Sequence, residues 1–77
     1  MTQDLPPRST AALDAAIEHQ RAGRLAEAER LYAEILRRDT GNLRAAHELG
    51  IVQLGLGRAD AAEASFARAL QIAPNHV

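Results

Sequence analysis

The sequence is 77 residues long, carries a formal net charge of −1 and contains no cysteine. A chain of this length holds one domain with a small core, and without cysteine it has neither disulfides nor thiolate metal ligands to stabilise it. The nine basic residues, all arginine, are interspersed with ten acidic ones, so the concentrated basic surface of a protein that binds nucleic acid or membranes is not expected.

The chain begins with a segment, residues 1–8, that we predict to be an extended leader. It contains Pro6 and Pro7, and proline disfavours helix in the residue before it. Ser9 or Thr10 then supplies an N-cap for the first helix. The leader has no basic region followed by an apolar run, so neither a signal peptide nor a transmembrane span is expected, and a cytoplasmic location follows by default.

An all-α fold is predicted for the rest of the chain. The hydrophobic pattern indicates four helices, at residues 9–22, 25–38, 43–56 and 59–72. Gly23 and Gly57 follow the first and third of these helices, at the position where a left-handed residue ends a helix. Asn42 is the expected N-cap of the third helix, because its side-chain oxygen can accept from a backbone N–H that has no helical partner.

The sequence also repeats itself at a fixed interval, the one that separates Gly23 from Gly57. The aligned segments are Gly23-Arg24 with Gly57-Arg58, Ala28-Glu29 with Ala62-Glu63, Tyr32 with Phe66, and Leu36 with Leu70. A constant period of this length, with a turn glycine at the same phase in both copies, is typical of stacked helix pairs.

At these positions the chain resembles the tetratricopeptide repeat family, whose unit has an A-helix, a tight turn and a B-helix. The second copy, residues 43–76, follows the family pattern at Leu49-Gly50, Gly57, Ala62, Phe66, Ala69-Leu70 and Pro74. The first copy, residues 9–42, is more degenerate but keeps Gly23, Ala28, Tyr32 and Leu36. The resemblance implies an α-solenoid of two antiparallel helix pairs that binds another protein or a peptide.

Catalytic chemistry is not expected from the polar residues. His19, His47 and His76 are the obvious candidates, but no helix carries an HxxxH pattern or a histidine pair flanked by carboxylates, as a metal site would need. Ser9 and Ser65 have no adjacent base that would make them nucleophiles. We therefore predict no enzyme activity, no cofactor and no metal site.

The predicted partner-binding surface is the concave side of the array, which the A-helices would line. Residues spaced (i, i+4, i+7) on that face are Leu13, Ile17 and Gln20, flanked by Arg21, in the first copy, and His47, Ile51 and Leu54, flanked by Arg44, in the second. The aliphatic majority favours an apolar extended segment or an amphipathic helix as ligand over an acidic C-terminal tail. The alternative, that these side chains pack A-helix against A-helix, is equally open for Ile17 and Ile51, whereas binding is favoured for Leu13 and Leu54.

The last predicted helix leaves a face with Leu70 and Ile72 for which the sequence supplies no capping helix. Either the chain is the N-terminal piece of a longer array, or a second subunit covers this face and the protein is a homo-oligomer. Arrays of this Ala- and Arg-rich style are similar to those that precede bacterial glycosyltransferase or sulfotransferase domains. The alternative to a free-standing adaptor is therefore a substrate-recruiting segment of a larger transferase.

Overall fold

Four α-helices form the computed structural model, which describes residues 5–74 and the side chains of residues 10–74. The helices are α1 (Leu5–Arg21), α2 (Leu25–Arg38), α3 (Leu43–Gly55) and α4 (Ala59–Ile72). No strand occurs between residues 5 and 74. The all-α prediction is confirmed, and every helix boundary lies within one residue of the predicted one except the start of α1.

The start of α1 corrects the prediction of an extended leader. The helix begins at Leu5, so Pro6 and Pro7 lie in its first turn and neither Ser9 nor Thr10 caps it. Proline is tolerated there because its φ is already helical and its missing N–H would have had no partner in the helix. The remainder of the predicted leader, residues 1–4, is outside the described part of the chain, as are residues 75 and 76 at the end of the predicted second repeat.

The turns within the two helix pairs share one hydrogen-bonding pattern. After α1, the Gly23 N–H donates to the Gln20 carbonyl at 3.1 Å and the Arg24 N–H donates to the His19 carbonyl at 2.9 Å. The same two bonds recur one repeat later, after α3, at 3.0 and 2.8 Å. This is the Schellman motif, which requires a left-handed residue. Gly23 and its equivalent Gly57 supply that residue, with φ of 84° and 79°.

The connection between the two pairs is closed by Asn42. Its side-chain oxygen accepts from the Ala45 N–H at 2.9 Å, which confirms the predicted N-cap of α3. Its side-chain amide donates to the Asp39 carboxylate at 3.1 Å. Asn42 thereby joins the end of one helix pair to the start of the next.

The hydrophobic core lies mainly on the two inner helices, α2 and α3. Each helix packs extensively against the next along the chain, so each inner helix packs between two others, whereas α1 packs mainly against α2 and α4 mainly against α3. The core consists of Ala16, Ala28, Tyr32, Ile35, Leu36, Ala45, Ala46, Leu49, Val52 and Ala69. Five of these are alanines, so the core is built by close approach of helices more than by large side chains.

Gly50 marks a close contact between α3 and α4. A Cβ at this position would lie 2.5 Å from Cε1 of the Phe66 ring. Glycine within a helix costs about 1 kcal/mol relative to alanine, and here the ring occupies the space that a side chain would need. The absence of a side chain at Gly50 therefore lets the Phe66 ring of α4 lie directly against the backbone of α3.

Candidate functional site

The outward face of α3 carries two exposed aliphatic side chains. Ile51 is 40% exposed and Leu54 is 54% exposed, and they lie about one helical turn apart. The opposite face of the helix is buried at Ala45, Ala46, Leu49, Gly50, Val52 and Gln53. Because the helix has one buried face, residues that follow the Arg44, His47, Ile51 and Leu54 spacing fall on the other side. Ile51 and Leu54 form an accessible apolar strip there, with the exposed Arg44 at one end and the half-buried His47 between.

The aliphatic residues of α1 differ from their equivalents on α3. Leu13 and Ile17 are half-buried and pack against the hydrophobic core. Arg21 is exposed and lies 3.9 Å from the Glu18 carboxylate, a weak surface pair. The two A-helices therefore contribute unequally to any ligand surface, with α3 presenting more apolar area to solvent.

Gln20 and Arg44 are held by a chain of polar side chains that the sequence analysis did not predict. The Tyr32 hydroxyl donates to Gln20 Oε1 at 2.7 Å, and Gln20 Nε2 donates to Glu48 Oε1 at 3.3 Å. Arg44 Nε then donates to Glu48 Oε2 at 3.2 Å. This series of hydrogen bonds connects α2, α1 and α3. Gln20 therefore stabilises the helix stack besides lying on the predicted concave face.

A second polar chain has the same chemical order. The Ser65 hydroxyl donates to Gln53 Oε1 at 2.6 Å, and Gln53 Nε2 donates to Glu29 Oε2 at 3.3 Å. The other oxygen of Glu29 accepts from the Arg58 guanidinium. This second series of hydrogen bonds connects α4, α3 and α2. Buried hydroxyl and amide groups are thus paired, as a small core requires.

Neither polar chain could be found from the repeat alone. The central glutamines, Gln20 and Gln53, do not occupy the same phase, since the equivalent of Gln53 in the first copy is His19, the residue before Gln20. The one signal in the sequence is Gln53, which lies on the buried face of α3, where an apolar residue is expected unless a hydrogen-bond partner is available.

Burial raises the pKa of Tyr32 to about 12 from an ordinary value of 10.0, and the Glu48 carboxylate adds to the increase. The folded chain therefore keeps the phenolic proton over a pH range in which the unfolded chain releases it. We expect the free energy of unfolding to be unaffected by Tyr32 below the unfolded pKa and to fall by about 2–3 kcal/mol between about pH 10 and 12.

This alkaline transition can be measured cleanly because the sequence has no lysine, no cysteine and no second tyrosine. Urea unfolding at a series of alkaline pH values gives the stability, and tyrosinate absorbance gives the titration of the native state. The variant Tyr32→Phe should lose this part of the pH dependence. A native tyrosine that ionises at its ordinary pKa would contradict the assignment of Tyr32 as desolvated.

The histidines occupy dissimilar environments. His47 is half-buried on α3, with its ring centroid 5.9 Å from that of Phe66 and the planes tilted by 55°. His19 Nδ1 accepts from Arg24 Nε at 2.8 Å. His76 lies outside the described residues. Between residues 10 and 74, no group of three His, Asp or Glu side chains is placed to hold a metal ion.

None of the helices in the described part of the chain is long and apolar enough to cross a membrane.

The two residues predicted for self-association lie on α4. The Leu70 side chain is 56% exposed, whereas Ile72 is half-buried and packs against the core. The two residues predicted for self-association therefore differ in accessibility, and Leu70 is the one that faces solvent.

The comparisons with known proteins agree with this architecture. The sequence model of the family described as Tetratricopeptide repeat matches residues 19–77, which include α2, α3 and α4 in full. No curated protein matches the chain significantly. Repeats of this family generally mediate interactions between proteins and are themselves non-catalytic. With two helix pairs that recur in register around equivalent Schellman turns, the chain belongs to the tetratricopeptide repeat family.

Proposed function

We propose that the chain is a non-catalytic interaction module that holds an apolar peptide segment or an amphipathic helix on the concave face of its A-helices, α1 and α3. The observation that carries this proposal is the exposure of Ile51 and Leu54. Aliphatic side chains one helical turn apart match the spacing of the anchors that an amphipathic ligand helix would present.

The aliphatic residues of both A-helices support an apolar ligand, but those of α1 and α3 differ in exposure. Leu13 and Ile17 are fixed against the core and offer a preformed apolar surface, whereas Ile51 and Leu54 project and would be buried by the ligand. The Arg44 guanidinium is already paired with Glu48. The positive charge of Arg44 is therefore already balanced by Glu48 and would attract a ligand carboxylate only weakly. This disfavours recognition of an acidic C-terminal tail.

The test is a selection of short random peptides against the purified chain, followed by affinity measurements on the variants Ile51→Glu and Leu54→Glu. Burying one such side chain contributes about 1.5–3 kcal/mol, so each variant should bind the selected peptides at least about tenfold more weakly. Both positions are exposed, so helicity should not change. Leu70→Glu is the matched control, because Leu70 is equally exposed but lies on α4.

Two results would oppose the proposal. Selected peptides that end in acidic residues and lose affinity on replacement of Arg21 or Arg44 would indicate a carboxylate clamp. Equal binding by the wild type and by both α3 variants would place the ligand elsewhere. Backbone amide shifts on peptide titration would then show which helices contact it.

A further inference from the structure

The exposed face of α4 repeats a face that is buried on α2. Leu36 on α2 is 3% exposed, whereas its equivalent in the second repeat, Leu70, is 56% exposed. Tyr32 is fully buried and its equivalent Phe66 is only half-buried. On α2 these side chains belong to the hydrophobic core, and α2 packs against both α1 and α3. The exposed face of α4 is thus equivalent to a face that is covered on α2.

The other half of that interface is exposed on α1. Ala45 and Leu49 are buried on α3, and their equivalents in the first repeat, Ala11 and Ala15, are exposed on α1. Helix α1 therefore offers small side chains where α4 offers the projecting Leu70. One chain carries both complementary surfaces, at opposite ends of the stack.

The charged groups of these two surfaces also match. Between α2 and α3, the Glu29 carboxylate accepts from Gln53 Nε2 and from the Arg58 guanidinium. The equivalents of these three residues are Glu63, exposed on α4, and His19 and Arg24, which lie at the end of α1 and in the turn after it.

The hydrogen bond between His19 and Arg24 leaves His19 in a suitable tautomer. His19 Nδ1 accepts from Arg24 Nε, so the neutral ring carries its hydrogen on Nε2. That N–H can donate to a carboxylate as the amide of Gln53 donates to Glu29. A Glu63 side chain from another molecule would therefore meet the same two kinds of group that Glu29 meets within one molecule, a neutral N–H donor and an arginine.

We propose that copies of this chain stack head to tail, with α1 of one copy packed on α4 of the next. The contact continues the α2–α3 interface from one molecule into another, with Glu63 of one copy facing His19 and Arg24 of its neighbour. It is independent of the concave face proposed above for ligand binding. Such a contact is heterologous and need not close, so assemblies should lengthen with concentration.

The side chains at this contact make it weaker than the interface inside the molecule. Ala15 is the repeat equivalent of Leu49, and Ala69 is the repeat equivalent of Ile35. The contact between molecules therefore removes less apolar surface from water than the contact within one molecule. The association should therefore be reversible and depend on protein concentration. Because an ion pair contributes, it should also weaken with salt.

Sedimentation velocity of the whole chain over a range of concentrations tests the proposal. The wild type should show an average mass that rises with concentration. Leu70→Glu should move this rise to at least about tenfold higher concentration, because a buried aliphatic contact is replaced by a charge. Leu54→Glu, at a matched exposure outside the contact, should assemble like the wild type.

A charge-reversal experiment identifies the two faces. Glu63→Arg and Arg24→Glu should each impair assembly alone, because like charges would meet across the contact. An equimolar mixture of the two variants should recover assembly, since every contact in an alternating stack then pairs opposite charges. Both residues are exposed, and circular dichroism checks that each variant is folded.

A wild-type chain that remains monomeric at all concentrations would overturn the proposal. So would assembly that Leu70→Glu abolishes but Arg24→Glu leaves intact, since that pattern indicates two α4 helices packed on each other. Failure of the stacking proposal leaves peptide binding untouched: Leu70→Glu should still bind the selected peptides, and Leu54→Glu should still assemble.

Discussion

Replacing Tyr32 with alanine is expected to leave most of the chain unfolded. Tyr32 is the largest fully buried side chain among the described residues, and truncating a buried aromatic residue to alanine costs about 3–5 kcal/mol. A single core of this size rarely supplies more than about 3–5 kcal/mol of net stability. The cost is therefore comparable with the whole free energy of folding. Circular dichroism at increasing urea concentration measures the loss.

The variant Tyr32→Phe separates the ring from the hydroxyl. It keeps the ring in the core but leaves Gln20 Oε1 without its donor, which should cost about 1 kcal/mol. The chain should remain folded, with a lower urea midpoint. If Tyr32→Ala were as stable as Tyr32→Phe, the ring would not be the centre of the core.

Leu36→Ala is expected to lower the free energy of unfolding by about 2–5 kcal/mol, because it removes a buried side chain and leaves a cavity between the inner helices. The repeat supplies a matched control at Leu70. It has the same residue type, the same phase and the same kind of helix, but it is 56% exposed instead of 3%.

Leu70→Ala should accordingly change stability by no more than about 0.5 kcal/mol when measured on the monomer at low concentration. Thermal or urea unfolding of both variants in parallel gives the comparison. Equal losses at the two positions would mean that α4 is buried in solution to the same degree as α2, and the difference between inner and outer helices described above would not hold.

Much of the fold could be predicted because its signals are local or periodic. Gly23 and Gly57 end helices through a backbone conformation that other residues rarely adopt, and Asn42 caps a helix with its own side chain. The constant repeat period then indicates that the two helix pairs are equivalent units. The start of α1 was mispredicted because proline disfavours a helix interior but fits a first turn.

Less of the candidate site could be predicted. Helical spacing predicts the residues of the concave face and treats Ile17 and Ile51 alike, yet Ile17 is half-buried while Ile51 is exposed. The role of Gln20 in the polar chain depends on three helices meeting at Tyr32 and Glu48. Spacing along one helix contains no information about such a meeting.

Most helix boundaries, the turns within each pair and the residue-by-residue equivalence between the pairs can be predicted from the amino-acid sequence, since each depends on residues close in the chain or on their regular recurrence. Which of two equivalent residues is buried depends on the packing of the helices. Leu36 and Leu70 are the same residue type at the same phase, but α2 packs between α1 and α3 and Leu36 is buried, whereas α4 packs mainly against α3 and Leu70 is exposed. Burial depends on what lies next to a side chain, and in a stack of like units that neighbour changes from the middle to the ends.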